Sequence, residues 1–208
     1  MMKRRAFVPL LAATAGLAGT RKAALAQPDG WTALFNGRDL EGWVRIGDAN
    51  WRVEDGALVA DRGNGFLVTP QDYRDYQLRA EFFVDSGTNS GIYIRCTDPA
   101  VISAANAYEV NIWDERPEQR YGTGAIVDLA AVNPMPKAGG RWNLFEITAA
   151  RDAFTVVFNG QKTADAVRDH RFTSGRIALQ HGLGVPGPGG VVNDRGVVRF
   201  RKVEIRVG

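Results

Sequence analysis

Residues 76–84 read YQLRAEFFV, and this stretch decides the fold class. Leu78, Ala80, Phe82 and Val84 alternate with Arg79, Glu81 and Phe83. Successive side chains of a strand point to opposite sides, so an apolar period of two marks a strand with one buried face. The same period recurs in SGIYIRC (90–96), AYEVNIWDE (107–115), RWNLFEITAA (141–150), GRIALQHG (175–182) and GVVRFRKVEIRVG (196–208). Asp55-Gly56 within WRVEDGALVA and Asn159-Gly160 within FTVVFNGQKTADA are hairpin turn signals, because both central residues of such a turn need positive φ. In 196–208 the apolar phase moves from Val198 and Phe200 to Val203, Ile205 and Val207, which predicts a bulge. No long helical stripe is present. Many short strands joined by Gly-rich turns predict an all-β, two-sheet antiparallel sandwich.

The first 26 residues fall outside that pattern. They run from a basic start through an apolar middle to the small-residue end Ala24-Leu25-Ala26, which is the layout of a secretory signal. The pair Arg4-Arg5 followed by Ala6-Phe7-Val8 resembles a twin-arginine signal, with an ordinary Sec signal as the alternative; either route exports the chain. The apolar run is too short to span a membrane. The expectation is therefore a protein exported to the periplasm or beyond, with a single domain over 27–208.

Removing this segment reverses the charge argument. The whole chain has 26 basic and 23 acidic residues; the signal holds Lys3, Arg4, Arg5, Arg21 and Lys22, so the remainder is formally −2. Nothing is left to attract nucleic acid or an anionic membrane. Cys96 is the only cysteine, so no disulfide can form within the chain, and its place among apolar residues predicts a buried, inert thiol. No cofactor motif or zinc spacing occurs, and a metal requirement is left open.

The chemistry lies on the other parity. In 107–115, Tyr108, Val110 and Ile112 form an ordinary core face, while Glu109, Asn111 and Trp113 form the opposite one. Tyr93 and Arg95 continue that polar face on the preceding strand, and Arg79, Glu81 and Phe83 on the one before, provided the three share a sheet. Carboxylates, an amide, arginines and aromatic rings on one surface suit a sugar, whose hydroxyls take planar polar groups and whose apolar ring face takes an aromatic one. A solvated face of cross-strand ion pairs is the plainer reading, but it does not explain Trp113 and Tyr93. His181 ends a strand beside the Gly/Pro-rich stretch 182–196 and has the chemistry of a proton carrier.

The ordered blocks GWTALFNGRDLEGWV, WRVEDGALVA, DYQLRAEFFVDSGTNSGIYIRC, YEVNIWDE, GRWNLFEITAARDAFTVVFNGQK, GRIALQHG and VRFRKVEIR together resemble the 3-keto-disaccharide hydrolase family. The resemblance implies a concanavalin A-like jelly roll. It also implies an enzyme acting on an oxidised, 3-keto sugar. A ketone at C3 acidifies the hydrogen at C2, a base removes it, the enolate expels the glycosidic oxygen at C1, and water adds to the product. On this resemblance His181 or Glu109 is the base and Arg95 steadies the enolate. Trp113, Tyr93, Asn111, Glu81, Asn89, Gln180 and Asp114 bind substrate. Asn111 stands where the family pattern has glutamine. A non-catalytic carbohydrate-binding module on the same fold is the rival expectation.

Overall fold

A computed structural model describes residues 29–183 and 195–208. The expected signal and residues 184–194 of the Gly/Pro-rich stretch lie outside the described residues. Among the described residues, thirteen strands make two antiparallel sheets. The larger has the order β11 (Gln161–Arg168), β10 (Ala153–Phe158), β9 (Trp142–Ala150), β6 (Tyr76–Val84), β13 (Arg195–Val207), β4 (Ala57–Arg62), β3 (Arg52–Glu54), with the short β1 (Thr32–Ala33) also on β13. The smaller has the order β2 (Val44–Gly47), β5 (Gly65–Val68), β12 (Arg176–Gly182), β7 (Asn89–Cys96), β8 (Tyr108–Ile112). This is the expected jelly-roll sandwich.

β6 alternates buried and half-buried residues along its whole length, as its sequence demands. Leu78, Ala80, Phe82 and Val84 face the second sheet and meet Ile92, Ile94, Val110, Ile112, Ile177 and Leu179 from β7, β8 and β12 in one core. Phe82 anchors that core, stacked on Phe145 at 4.9 Å and tilted against Phe158 and Phe200. Both turn signals hold: Asp55 and Gly56 have φ of 50° and 72°, and Asn159 and Gly160 have 49° and 82°. The bulge foreseen in β13 falls between Arg201 and Glu204, with Lys202 at φ 47°. Val207 is exposed, so the buried apolar phase ends at Ile205, two residues before the strand does.

One expectation needs correction. β6 is not in the same sheet as β7 and β8, because residues 85–88 cross from one sheet to the other. Glu81 therefore lies on the outer face of the larger sheet, where Arg201 and Lys202 pair with it at 2.7 and 2.6 Å. It takes no part in the surface formed by β7 and β8.

The stretch after β8 closes that strand's free edge. Gly124 N–H donates to the Asn111 carbonyl and Val127 N–H to that of Glu109, while Asn111 N–H donates to Ala125. An exposed edge would invite pairing with another chain; here residues 124–127 occupy it and at the same time raise a wall beside the outer face of β8.

Candidate active site

The wall and the outer face of β12, β7 and β8 enclose a cleft of about 210 Å³ lined by Asn89, Tyr93, Glu109, Asn111, Trp113, Arg116, Tyr121, Val127 and Gln180. Register explains most of it. Tyr93 lies opposite Glu109, and Gly91 opposite both Asn111 and Gln180. All of these face outward, away from the core. Phe66 meets the Tyr93 ring edge-on at 5.4 Å and fixes it.

Glu109 is the centre of the arrangement. It is 8% exposed. Desolvation drives its pKa up from 4.5 to about 7, with the charge of Asp128 adding to the rise and the Tyr93 hydroxyl bond opposing it. Burial also pushes the Tyr93 phenol well above its ordinary value, and the Glu109 charge adds to that. Gln180 donates from Nε2 to the Tyr93 oxygen at 3.4 Å. Its carbonyl oxygen is buried with no partner in the protein. A buried acceptor without a donor is costly, and a substrate hydroxyl would satisfy it.

Gly91 makes room for the carboxylate. A Cβ there would sit 2.9 Å from Glu109 Oε1 and 3.2 Å from its Cγ. Gly91→Ala is therefore expected to displace the carboxyl group and lower kcat/KM on a sugar substrate roughly 10- to 100-fold, since about 1 Å of misplacement within a site can cost that much. The thermal melt should hardly move. Unchanged kinetics in the alanine variant would show that the carboxylate position is not critical.

The remaining expected residues divide. Asn89, Tyr93, Asn111, Trp113 and Gln180 come together with Glu109. Asn111 donates to the Tyr121 carbonyl and so ties the wall to β8. Asp114 does not line the cleft: its carboxylate accepts from Thr123 Oγ1 at 2.7 Å and from the Ala138 and Gly139 N–H groups at 2.8 Å, which shapes the loop behind the wall.

His181 and Arg95 face the wrong way for the roles expected of them. Gln180 points outward, so its neighbour His181 points between the sheets, 1% exposed. There Nδ1 lies 2.6 Å from the Gly63 carbonyl and Nε2 2.8 Å from that of Gly196. Both ring nitrogens are engaged with backbone that joins three strands, and neither can reach a ligand of Glu109. Arg95 has φ 52° and sits at a register shift between β7 and β12, where Arg176 pairs with Cys96 and Ala178 with Tyr93. This bulge turns Arg95 inward, fully buried, and puts Cys96 on the Tyr93 side.

Arg116, Tyr121 and Val127 were not foreseen. They come from an irregular stretch in which no periodicity assigns a face. The one signal was the aromatic and basic run of WDERPEQRY itself.

A family model described as the 3-keto-alpha-glucoside-1,2-lyase-like domain matches residues 30–206. The chain belongs to this family. It is 24% identical over 178 residues to a curated 3-keto-disaccharide hydrolase of Bacteroides thetaiotaomicron, covering 70% of this chain and 60% of that protein. The family fold recurs in a provisionally assigned glycosyl hydrolase of Parabacteroides distasonis, 24% identical with a TM-score of 0.66 over 86% of this chain and 99% of that one. It recurs more distantly in a carbohydrate-binding module of Bacillus subtilis, at 14% identity and a TM-score of 0.57 over 79% and 95% of the two chains. Among solved structures these likenesses speak for the fold alone.

Proposed function

We propose that this chain hydrolyses glycosides whose sugar ring carries a ketone at C3, with Glu109 as the base. The carboxylate takes the C2 hydrogen, and the C–H electron pair becomes the C2–C3 double bond of an enolate. Return of that pair expels the aglycone oxygen from C1, with the Glu109 proton available to it. Water then adds across C1 and C2. Tyr93, Asn111, Asn89 and Gln180 supply hydrogen bonds to the ring hydroxyls, and Trp113 supplies a face for the ring. The export expected from residues 1–26 would set this reaction outside the cytoplasm.

One observation carries the reading: among the described residues lining the cleft, Glu109 is the only carboxylate. Ordinary glycosidases need two, roughly 5–9.5 Å apart, to handle an oxocarbenium ion. Elimination through an enolate needs a single base with a pKa near the working pH. Burial that lifts Glu109 to about 7 meets that need.

The test offers purified protein a 3-keto disaccharide and its unoxidised parent. Sugar is expected from the ketone alone. A carbohydrate-binding module would retain one or both and release nothing, which would sink the catalytic reading.

A further inference from the structure

Elimination through an enolate also calls for a positive group at the C3 oxygen, and inward-facing Arg95 leaves that place empty. Among the described residues lining the cleft, Arg116 is the one cation. Arg116 lies between two aromatic rings, its guanidinium carbon 4.8 Å from the Trp113 centroid and 5.0 Å from that of Tyr121. Ring faces attract the cation but use none of its N–H donors. Its Nε is buried and makes no hydrogen bond; the Glu118 carboxylate lies 3.4 Å away, out of line with the N–H.

The backbone that carries the two rings is tied down on both sides. The Trp113 backbone N–H donates to Thr123 Oγ1 at 2.9 Å. The Tyr121 carbonyl accepts from Asn111, and its hydroxyl donates to Asp128 at 3.0 Å. One strand thus carries the base directly, at Glu109, and sets the cation through Asn111, two residues on. A preorganised cation held against two rings, with an Nε–H that makes no hydrogen bond, is what developing negative charge requires.

We infer that Arg116 is a catalytic residue, receiving the 3-oxo oxygen of the bound sugar and holding the enolate formed when Glu109 takes the C2 hydrogen. This rests on the function proposed above. The π pair of the ketone moves onto its oxygen as the C2–H pair enters C2–C3, and the guanidinium holds that charge until the C1–O bond breaks and the aglycone leaves with its electron pair.

Two measurements separate this from a structural role. The first is cleavage of a 3-keto disaccharide by Arg116→Ala and by Arg116→Gln, whose planar amide keeps the stack between the rings. Both variants are expected to lose 100- to 1,000-fold in kcat, with part of the alanine loss restored by methylguanidinium in solution. The second uses a 3-keto-1,5-anhydrohexitol, which has no aglycone at C1 to expel. Wild type should exchange its C2 hydrogen in D2O, and both variants should exchange it at least 100-fold more slowly. Wild-type rates of exchange in either variant would overturn the role of Arg116 while leaving Glu109 as base. Wild-type protein that neither cleaves nor exchanges would overturn the proposed function and this inference with it.

Discussion

Glu109→Gln is expected to lose 10²- to 10⁴-fold in kcat/KM on a 3-keto glycoside, the usual contribution of a positioned base, and to gain stability above pH 7. The two effects have one cause. The fold holds a carboxyl group where its charged form is poorly solvated, so its pKa stands at about 7 against an ordinary 4.5. Below pH 4.5 the group is protonated in folded and unfolded chains alike, and it costs nothing. Between 4.5 and 7 the unfolded chain releases the proton while the folded chain keeps it, so rising pH favours unfolding. Above 7 the carboxylate is charged in both states and the whole cost, ~3 kcal/mol, is present. Glutamine has the same shape and no charge to desolvate. The variant's advantage over wild type should therefore grow from pH 5 to pH 7 and level off by pH 8.5 in denaturant titrations. Wild-type kcat/KM should rise across the same interval, since only the ionised carboxylate accepts a proton. A flat rate profile from pH 5 to 9, or a glutamine variant that loses ground as pH rises, would contradict the assignment.

How far the sequence could be read turns on two bulges. In β13 the apolar phase shifts between residues of opposite character, from Val198 and Phe200 to Val203 and Ile205, with Arg201 and Lys202 between them. That change of phase is visible, and the structure puts the irregularity there. In β7 the bulge at Arg95 leaves no trace, because Cys96 continues the series Ile92, Ile94 and looks apolar on either side. Parity carried past that point assigned Arg95 to the sugar face. Before it, parity was sound: Tyr93, Glu109, Asn111 and Gln180 all share the cleft. Glu81 failed for a different reason. Alternation gives a residue's side of its own sheet but does not say which sheet the strand joins, and the crossing at 85–88 sends β6 to the other layer. His181 could have been excluded from its parity against Gln180. Arg116 could not have been found this way, since its place comes from stacking between two loop rings.

The same bulge makes Arg95 the basis of the largest stability effect expected. Its side chain is 0% exposed and is spent on backbone at three separate places. Nε and Nη2 donate to the Arg74 carbonyl at 3.0 and 2.8 Å, and Nη1 donates to the carbonyls of Arg151 at 2.6 Å and Phe172 at 3.1 Å. Nη2 also meets Asp75 Oδ1 at 3.3 Å, and the guanidinium lies 4.9 Å over Phe154. One side chain thus joins the entry to β6, the β9–β10 turn and the approach to β12 where the two sheets meet. Arg95→Met keeps much of the volume and none of the donors, so three inward-facing carbonyls lose their partner together and Asp75 loses its nearest cation. Breaking a buried, hydrogen-bonded charge in this way costs about 3–5 kcal/mol, a large share of the 5–15 kcal/mol that holds a typical domain. The melting point should fall accordingly. Assayed well below that lowered midpoint, the variant should keep kcat/KM within about threefold of wild type, because none of its lost bonds touches the cleft. Loss of activity with the melt unchanged would return Arg95 to the active site and would require the bulge to open when substrate binds.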